Sequence, residues 1–221
     1  MWLPAKRSWK KSASKFRTLN KQFTRYGILF VISAPSGAGK TTLCAALRQT
    51  PDFVYSVSCT TRSPRAGELP GEDYHFISEH EFLSRVAAQE FLEHAKVHGD
   101  YYGTLRKPIL ENLKNGVDVL IDIDTQGAAA IRNFDDPFIR QALTDVFIMP
   151  PDLEELRRRL IKRGTETSPQ IELRLVNAAR EMELWRDYRY TIISKSVEED
   201  LMKFRHIMGA ERIASRRLIL S

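Results

Sequence analysis

Residues 28–42 read Ile28-Leu-Phe-Val-Ile-Ser-Ala-Pro-Ser-Gly-Ala-Gly-Lys-Thr-Thr42, and this stretch decides the fold. Five apolar residues closed by Ser33 make a short run suited to a strand buried on both faces. A glycine-rich turn follows, and then a helical pattern over residues 41–49. The turn keeps the spacing GxxxxGK[ST] of a phosphate-binding loop, with Ala34 in place of the first glycine. A strand before and a helix after are the context that this spacing requires. Gly37 and Gly39 let the backbone curl so that loop N–H groups face a phosphate, and the helix N-terminus adds partial positive charge. Ala34, Pro35, Ser36, Gly37, Ala38, Gly39 and Thr42 would line the phosphates of a nucleoside triphosphate. Lys40 would reach the β- and γ-phosphates, and the Thr41 hydroxyl would hold Mg²⁺. An alanine forced to positive φ would be strained, which makes Ala34 the weak point of the match.

Downstream, residues 117–122 read Val-Asp-Val-Leu-Ile-Asp, an apolar strand that ends in a carboxylate able to stand near the metal. Asp122 is therefore the second metal candidate. Residues 124–127, Asp-Thr-Gln-Gly, fit the DxxG of GTPases. The guanine-reading NKxD does not follow, because the one Asn-Lys pair, Asn20-Lys21, precedes the loop. A GTPase is disfavoured. Further strands are expected over residues 53–58 and 146–149, and helices over 79–89, 152–163, 169–187 and 197–212. Short apolar strands alternating with helices indicate an α/β fold in which helices cover a parallel sheet.

The composition fits that class. The chain has 221 residues, 43% hydrophobic and 28% charged, enough for one packed domain and too apolar for wholesale disorder. No apolar run reaches the roughly 18 residues of a membrane span. Cys44 and Cys59 form neither a disulfide framework nor a zinc signature, which favours a reducing compartment. His75, His80, His94, His98 and His206 show no ligand spacing. The net charge of +6 is unevenly spread: residues 1–27 carry eight basic side chains and no acid. Without those eight, 26 basic residues face 28 acidic ones. The body gives no electrostatic case for nucleic acid. In the arm, Trp2, Trp9, Phe16 and Phe23 recur every seven residues, an aromatic stripe if residues 1–26 are helical. Such a segment is either a poorly ordered tail, an organelle-import signal or a surface-seeking helix.

The most specific stretch is residues 58–68, Ser-Cys-Thr-Thr-Arg-Ser-Pro-Arg-Ala-Gly-Glu, followed by Gly71-Glu-Asp-Tyr74. Arg62 and Arg65 on a Pro/Gly-constrained loop make a fork suited to gripping a phosphate. Together with residues 91–95 (Phe-Leu-Glu-His-Ala), 100–104 (Asp-Tyr-Tyr-Gly-Thr), the 122–127 strand end and residues 162–167 (Lys-Arg-Gly-Thr-Glu-Thr), this closely resembles the guanylate kinase family, from about residue 27 to 212.

The resemblance implies a P-loop NTPase three-layer fold with a parallel sheet core, a small GMP-binding subdomain over residues 58–104 and a short lid over 159–174. The kinase-like domain would span residues 27–215. It implies transfer of the γ-phosphate of ATP to GMP, and to dGMP, with Mg²⁺, in purine nucleotide metabolism and GMP recycling. Arg62, Arg65, Tyr74 and Tyr102 would hold the GMP phosphate, while Ser58, Glu93, Thr104 and Asp124 would read guanine. The base chemistry agrees: N1–H and N2–H suit the Glu93 carboxylate, and O6 suits a hydroxyl such as that of Thr104. Lys40, Arg159, Arg163 and Arg174 would neutralise the charge of transfer, with Glu68 orienting the arginines. Arg157 and Arg158 read as solvated charges of a helix face. Where many members carry Asn-Asp after the last strand, this chain has Ser194-Lys195, which leaves its adenine contacts open. A cytoplasmic monomer or homodimer is expected, with import directed by residues 1–26 as the alternative. Guanylate-kinase-like modules that bind proteins without catalysis are the alternative for function.

Overall fold

The computed structural model describes residues 23–97, 99–164 and 166–220. The chain begins with β1 (Phe23–Arg25) and enters the core through β2 (Leu29–Ser33), every residue of which is buried. The phosphate-binding loop leads into α1 (Lys40–Arg48), and β3 (Val54–Tyr55) lies at the sheet edge. A small unit follows: β4 (Cys59–Thr60), β5 (His75–Phe76), α2 (Glu79–Ala87), β6 (Phe91–Val97) and β7 (Asp100–Leu105). The chain returns through α3 (Arg106–Lys114), β8 (Val119–Asp122), α4 (Thr125–Arg132), α5 (Pro137–Ala142) and β9 (Leu143–Met149). It closes with α6 (Leu153–Arg163), α7 (Ser168–Met182), β10 (Tyr190–Ile193), α8 (Val197–Arg212) and β11 (Leu218–Leu220).

The large sheet is parallel, in the order β10-β9-β2-β8-β3. Period-two alternation along the entry to β2 and its length explains the layers. Ile28, Phe30 and Ile32 face one way, onto Leu43 and Leu47 of α1 and Phe204 and Met208 of α8. Leu29 and Val31 face the other way, onto Ile109 and Leu113 of α3, Ile131 of α4 and Ile139 of α5. Both faces are dry, as a continuous apolar strand requires. The small unit is a four-stranded sheet, β5-β4-β7-β6, with Phe82 of α2 stacked on Phe91 at 4.5 Å and Tyr101 at 5.3 Å. α6 and α7 form a hairpin sealed by Leu156, Leu160, Ile171, Leu175 and Ala178.

Several expectations change. The strand expected over residues 53–58 is only Val54–Tyr55, because the chain leaves the large sheet there to join the small one at Cys59. The helix expected over 169–187 ends at Met182 and tightens into a 3₁₀ turn, Glu183–Asp187. The helical stripe of the arm does not reach Phe23: Phe23–Arg25 pair antiparallel with Leu218–Leu220, so the first and last described residues form one ribbon that continues past residue 215. The guanidinium of Arg25 bonds buried Asp118 at 2.5 and 3.0 Å, which commits one of the eight arm cations to the body. Residues 1–22, with the other seven and with Trp2, Trp9 and Phe16, lie outside the described residues. Near the ribbon, buried Glu211 accepts from Tyr190 at 2.7 Å and from Arg217 at 2.6 and 2.8 Å. Burial alone would raise its carboxyl, but these donors hold it down at about 2. Among the described residues no helix is long and apolar enough to cross a membrane.

Candidate active site

Function-bearing residues collect at the carboxyl ends of β2 and β8, where ligands bind in open α/β sheets. The loop after Ser33 takes left-handed backbone at Gly37 (φ 88°) and Gly39 (φ 103°). A Cβ on Gly37 would lie 2.8 Å from the Leu160 side chain, so this glycine also lets α6 press against the loop. Ala34 is not at positive φ, and the replacement of the first glycine costs no backbone strain. Lys40 begins α1 and donates to the Ile123 carbonyl at 3.1 Å, with the Asp122 carboxylate 3.9 Å away. Thr41 and Thr42 stand exposed on the first turn.

Cations surround the loop. Arg159 of α6 is held from four sides: Glu155 accepts at 2.7 Å, the Ala38 carbonyl at 3.0 Å, the Ser194 hydroxyl at 3.0 Å and the Ser194 carbonyl at 3.1 Å. Arg174 of α7 donates to the Ser36 hydroxyl at 2.8 Å and lies 3.4 Å from Glu166. Arg163 is exposed on the wall of a cavity of about 540 Å³. Gly37, Thr42, Arg159, Ser194, Lys195 and Asp200 line the same cavity. Arg157 is not a merely solvated charge, since it ties α6 to Glu172 of α7 at 2.9 Å. Arg158 stays exposed and pairs with Glu155 on its own helix.

A second cavity, of about 180 Å³, joins this loop to the small sheet. Lys40, Asp122, Ile123 and Asp124 stand on one side, and Ser58, Tyr74, Glu93 and Tyr102 on the other. Glu93 sits on β6, only 7% exposed, and Thr104 across the hairpin donates to it at 2.5 Å. Thr104 in turn lies 3.2 Å from the Ser58 hydroxyl. Burial pushes the Glu93 carboxyl up to about 7, aided by the nearby charge of Asp124. Thr104 is wholly buried, and its hydroxyl proton goes to Glu93. Asp124 spends one oxygen capping α4, on Gly127 N at 2.8 Å, while lining the cavity.

Neither arginine of the fork lines this cavity. Arg62 is held by Glu68 at 2.8 Å and by the Ser63 carbonyl at 2.6 Å, and lies 5.5 Å from the Tyr74 ring. Its Nε is buried without a partner among the described residues. Glu68 also accepts from the Arg65 backbone N–H at 2.7 Å, while the Arg65 residue stands exposed outside the cavity lining. Tyr74 and Tyr102 meet edge-on at 5.9 Å. Glu181 went unseen in the sequence: it lies inside a long helical pattern where an acid carries no motif, yet it accepts from the Ser36 N–H at 3.3 Å.

A group of three or more metal-ligating side chains does not occur among the described residues. Thr41 and Asp122 nonetheless offer the hydroxyl and carboxylate oxygens that suit Mg²⁺, which keeps waters and phosphate oxygens for its remaining positions.

Comparison with known proteins follows the same outline. The family model described as Guanylate kinase matches residues 26–211. A guanylate kinase of Maricaulis maris is 46% identical over 195 residues, covering 87% of each chain. One from Clostridium perfringens is 42% identical over 196 residues, again 87% of each. The crystal structure of guanylate kinase from Anaplasma phagocytophilum superposes with a TM-score of 0.71 at 34% identity, covering 89% of this chain and 92% of that one.

Proposed function

The chain belongs to the guanylate kinase family and is an ATP:GMP phosphotransferase, and we propose how its own residues divide that work. GMP takes the cavity between the small sheet and the loop. Glu93, when ionised, accepts from N1–H and N2–H of guanine. Thr104 donates to the carboxylate and fixes it, Ser58 offers its hydroxyl to the base from the cavity wall, and Asp124 adds its uncommitted oxygen. Adenine carries a lone pair at N1 and would leave Glu93 facing it unpaired, so discrimination by about 10⁴ is within reach of such a site. Arg62, Arg65, Tyr74 and Tyr102 take the phosphate, with Arg65 swinging inward as the small sheet closes.

ATP lies along the phosphate-binding loop, its adenosine end in the larger cavity beside Ser194, Lys195 and Asp200. Lys40 and the loop N–H groups hold the β- and γ-phosphates. Thr41 and Asp122 would hold Mg²⁺, which when bound supplies further charge neutralisation. A phosphate oxygen of GMP attacks the γ-phosphorus in line, and the bond to the ADP oxygen breaks. That nucleophile has a second pKa of about 6 and is already ionised at neutral pH, so no general base is needed. Lys40, Arg159, Arg163 and Arg174 stabilise the charge spread over the transferring group. Closure of the small sheet and of the α6–α7 hairpin excludes the water that would otherwise hydrolyse ATP. The reaction places the chain in purine nucleotide metabolism and GMP recycling.

The observation that carries this reading is a single cavity with Lys40 on one wall and Glu93 on the other. A coupled assay supplying ATP with GMP, dGMP, AMP or UMP tests it. Turnover confined to the two guanine nucleotides is expected, and AMP turnover equal to that of GMP would overturn the base assignment.

A further inference from the structure

Ser36 is the point where the phosphate-binding loop meets α7, and α7 grips it twice. Arg174 donates to its hydroxyl at 2.8 Å, while Glu181 accepts from its backbone N–H at 3.3 Å. Residues 174 and 181 are seven apart, two turns of helix, and so lie on one face. The neighbouring face, Ile171, Leu175 and Ala178, packs on α6 through Leu156 and Leu160. The same two leucines lie against the space beside Gly37. One end of the loop is therefore wedged by α6 and pinned by α7.

A carboxylate beside a loop built for phosphates is costly, since it repels the ligand. Its presence calls for a compensating role, and the geometry supplies one. The loop's N–H groups point at ligand only when the backbone holds its curl, and Ser36 begins that curl just before left-handed Gly37. Glu181 is half-buried, and its burial raises the carboxyl above its usual range, with the Asp124 charge adding to this. Its carboxylate joins the α7 face to the loop.

We propose that Glu181 is a positioning residue for phosphoryl transfer: by accepting the Ser36 N–H it holds the loop in register with Arg174, so that ATP meets a formed cradle and a placed cation together. The proposal rests on the phosphotransferase reading. It asks only for an acceptor at this position, and Gln supplies one without the charge.

The test compares Glu181→Ala and Glu181→Gln with the unchanged full chain, whose own GMP turnover checks the underlying reading independently. KM for ATP, kcat, GMP affinity without ATP and Tm are measured for each. Loss of one such hydrogen bond is expected to raise the KM for ATP of Glu181→Ala by about tenfold and to lower kcat. GMP affinity and Tm should stay unchanged, and Glu181→Gln should recover ATP kinetics to within about threefold. Wild-type ATP kinetics in Glu181→Ala would overturn the proposal. So would an equal loss of GMP affinity, or a Glu181→Gln enzyme as impaired as Glu181→Ala.

Discussion

On the donor side of the cavity, Arg159 reaches the carbonyls of Ala38 and Ser194, and Lys40 reaches that of Ile123. On the acceptor side, Glu93 is held by the Thr104 hydroxyl, and Arg62 by the Glu68 carboxylate and the Ser63 carbonyl. The first set is anchored largely to backbone of the large sheet and its loops, with Glu155 and the Ser194 hydroxyl added at Arg159. The second set is anchored mainly to other side chains of the small sheet and of the loop between β4 and β5. Donor-side geometry thus rests more on backbone, with single side chains such as Glu181 completing it, whereas acceptor-side geometry depends more on protonation and on side-chain neighbours.

The largest effect should come from the donor side. Lys40→Ala removes a charge aimed at the transferring phosphate and should lower kcat/KM for both substrates by about a thousandfold. Its side chain makes one hydrogen bond to a carbonyl and a 3.9 Å contact with Asp122, so thermal unfolding should remain cooperative. Unchanged turnover would take the loop out of the mechanism.

Next comes the buried carboxylate of the acceptor side. The Glu93 carboxyl has its pKa raised from 4.5 to about 7 on folding. A raised carboxyl pKa contributes stability that is full below pH 4.5 and is lost as pH rises through 7. Glu93→Gln should therefore unfold at higher temperature than the wild type at pH 8, by up to roughly 3 kcal/mol of stability, with little difference at pH 5. A stability difference from the wild type that is the same at pH 8 and pH 5 would show that the carboxylate is not strained by burial.

Function should show the same titration with the opposite benefit. Guanine needs the ionised form, so between pH 8 and pH 6 the KM for GMP should rise by about tenfold, beyond the change due to the GMP phosphate itself. The KM for ATP should move less, since its partners are lysine, arginines and backbone. Equal pH profiles for the two substrates would erase the distinction between the two sides.

The smallest effect concerns Arg62. Glu68→Gln weakens the contact that holds its guanidinium and should raise the KM for GMP by about fivefold to tenfold, leaving ATP kinetics unchanged. A matching rise for ATP would mean that the small sheet and the loop are coupled more tightly than their separate anchors suggest.

The donor side was the more legible in sequence, and for the same reason. A strand of five apolar residues, a glycine turn, lysine and threonine are local, and they fold where they are written. The parallel sheet followed from the alternation of such segments. The fork at Arg62 and Arg65 reads as a phosphate grip from its Pro/Gly loop, but the carboxylate at Glu93 could be assigned only through resemblance, because β6 and β7 are half-exposed strands with weak alternation. That the Thr104 hydroxyl is bonded to Glu93 was not readable, since it depends on which face of a hairpin is buried. Glu181 left no signal at all: its meaning lies in the approach of α7 to a loop 145 residues away. The ribbon of Phe23–Arg25 with Leu218–Leu220 joins the two ends of the described chain, a pairing that no local pattern announces.

The most direct test of the division between the two sides is the ratio of kcat/KM for GMP to that for AMP, measured with saturating ATP for the wild type and for Glu93→Gln. The wild-type ratio should be about 10⁴ or more. It should fall by at least a hundredfold in the variant, while the KM for ATP stays within about twofold. A ratio that survives the substitution would contradict the account, because the base would then be read by something other than the buried carboxylate facing Lys40 across the cavity.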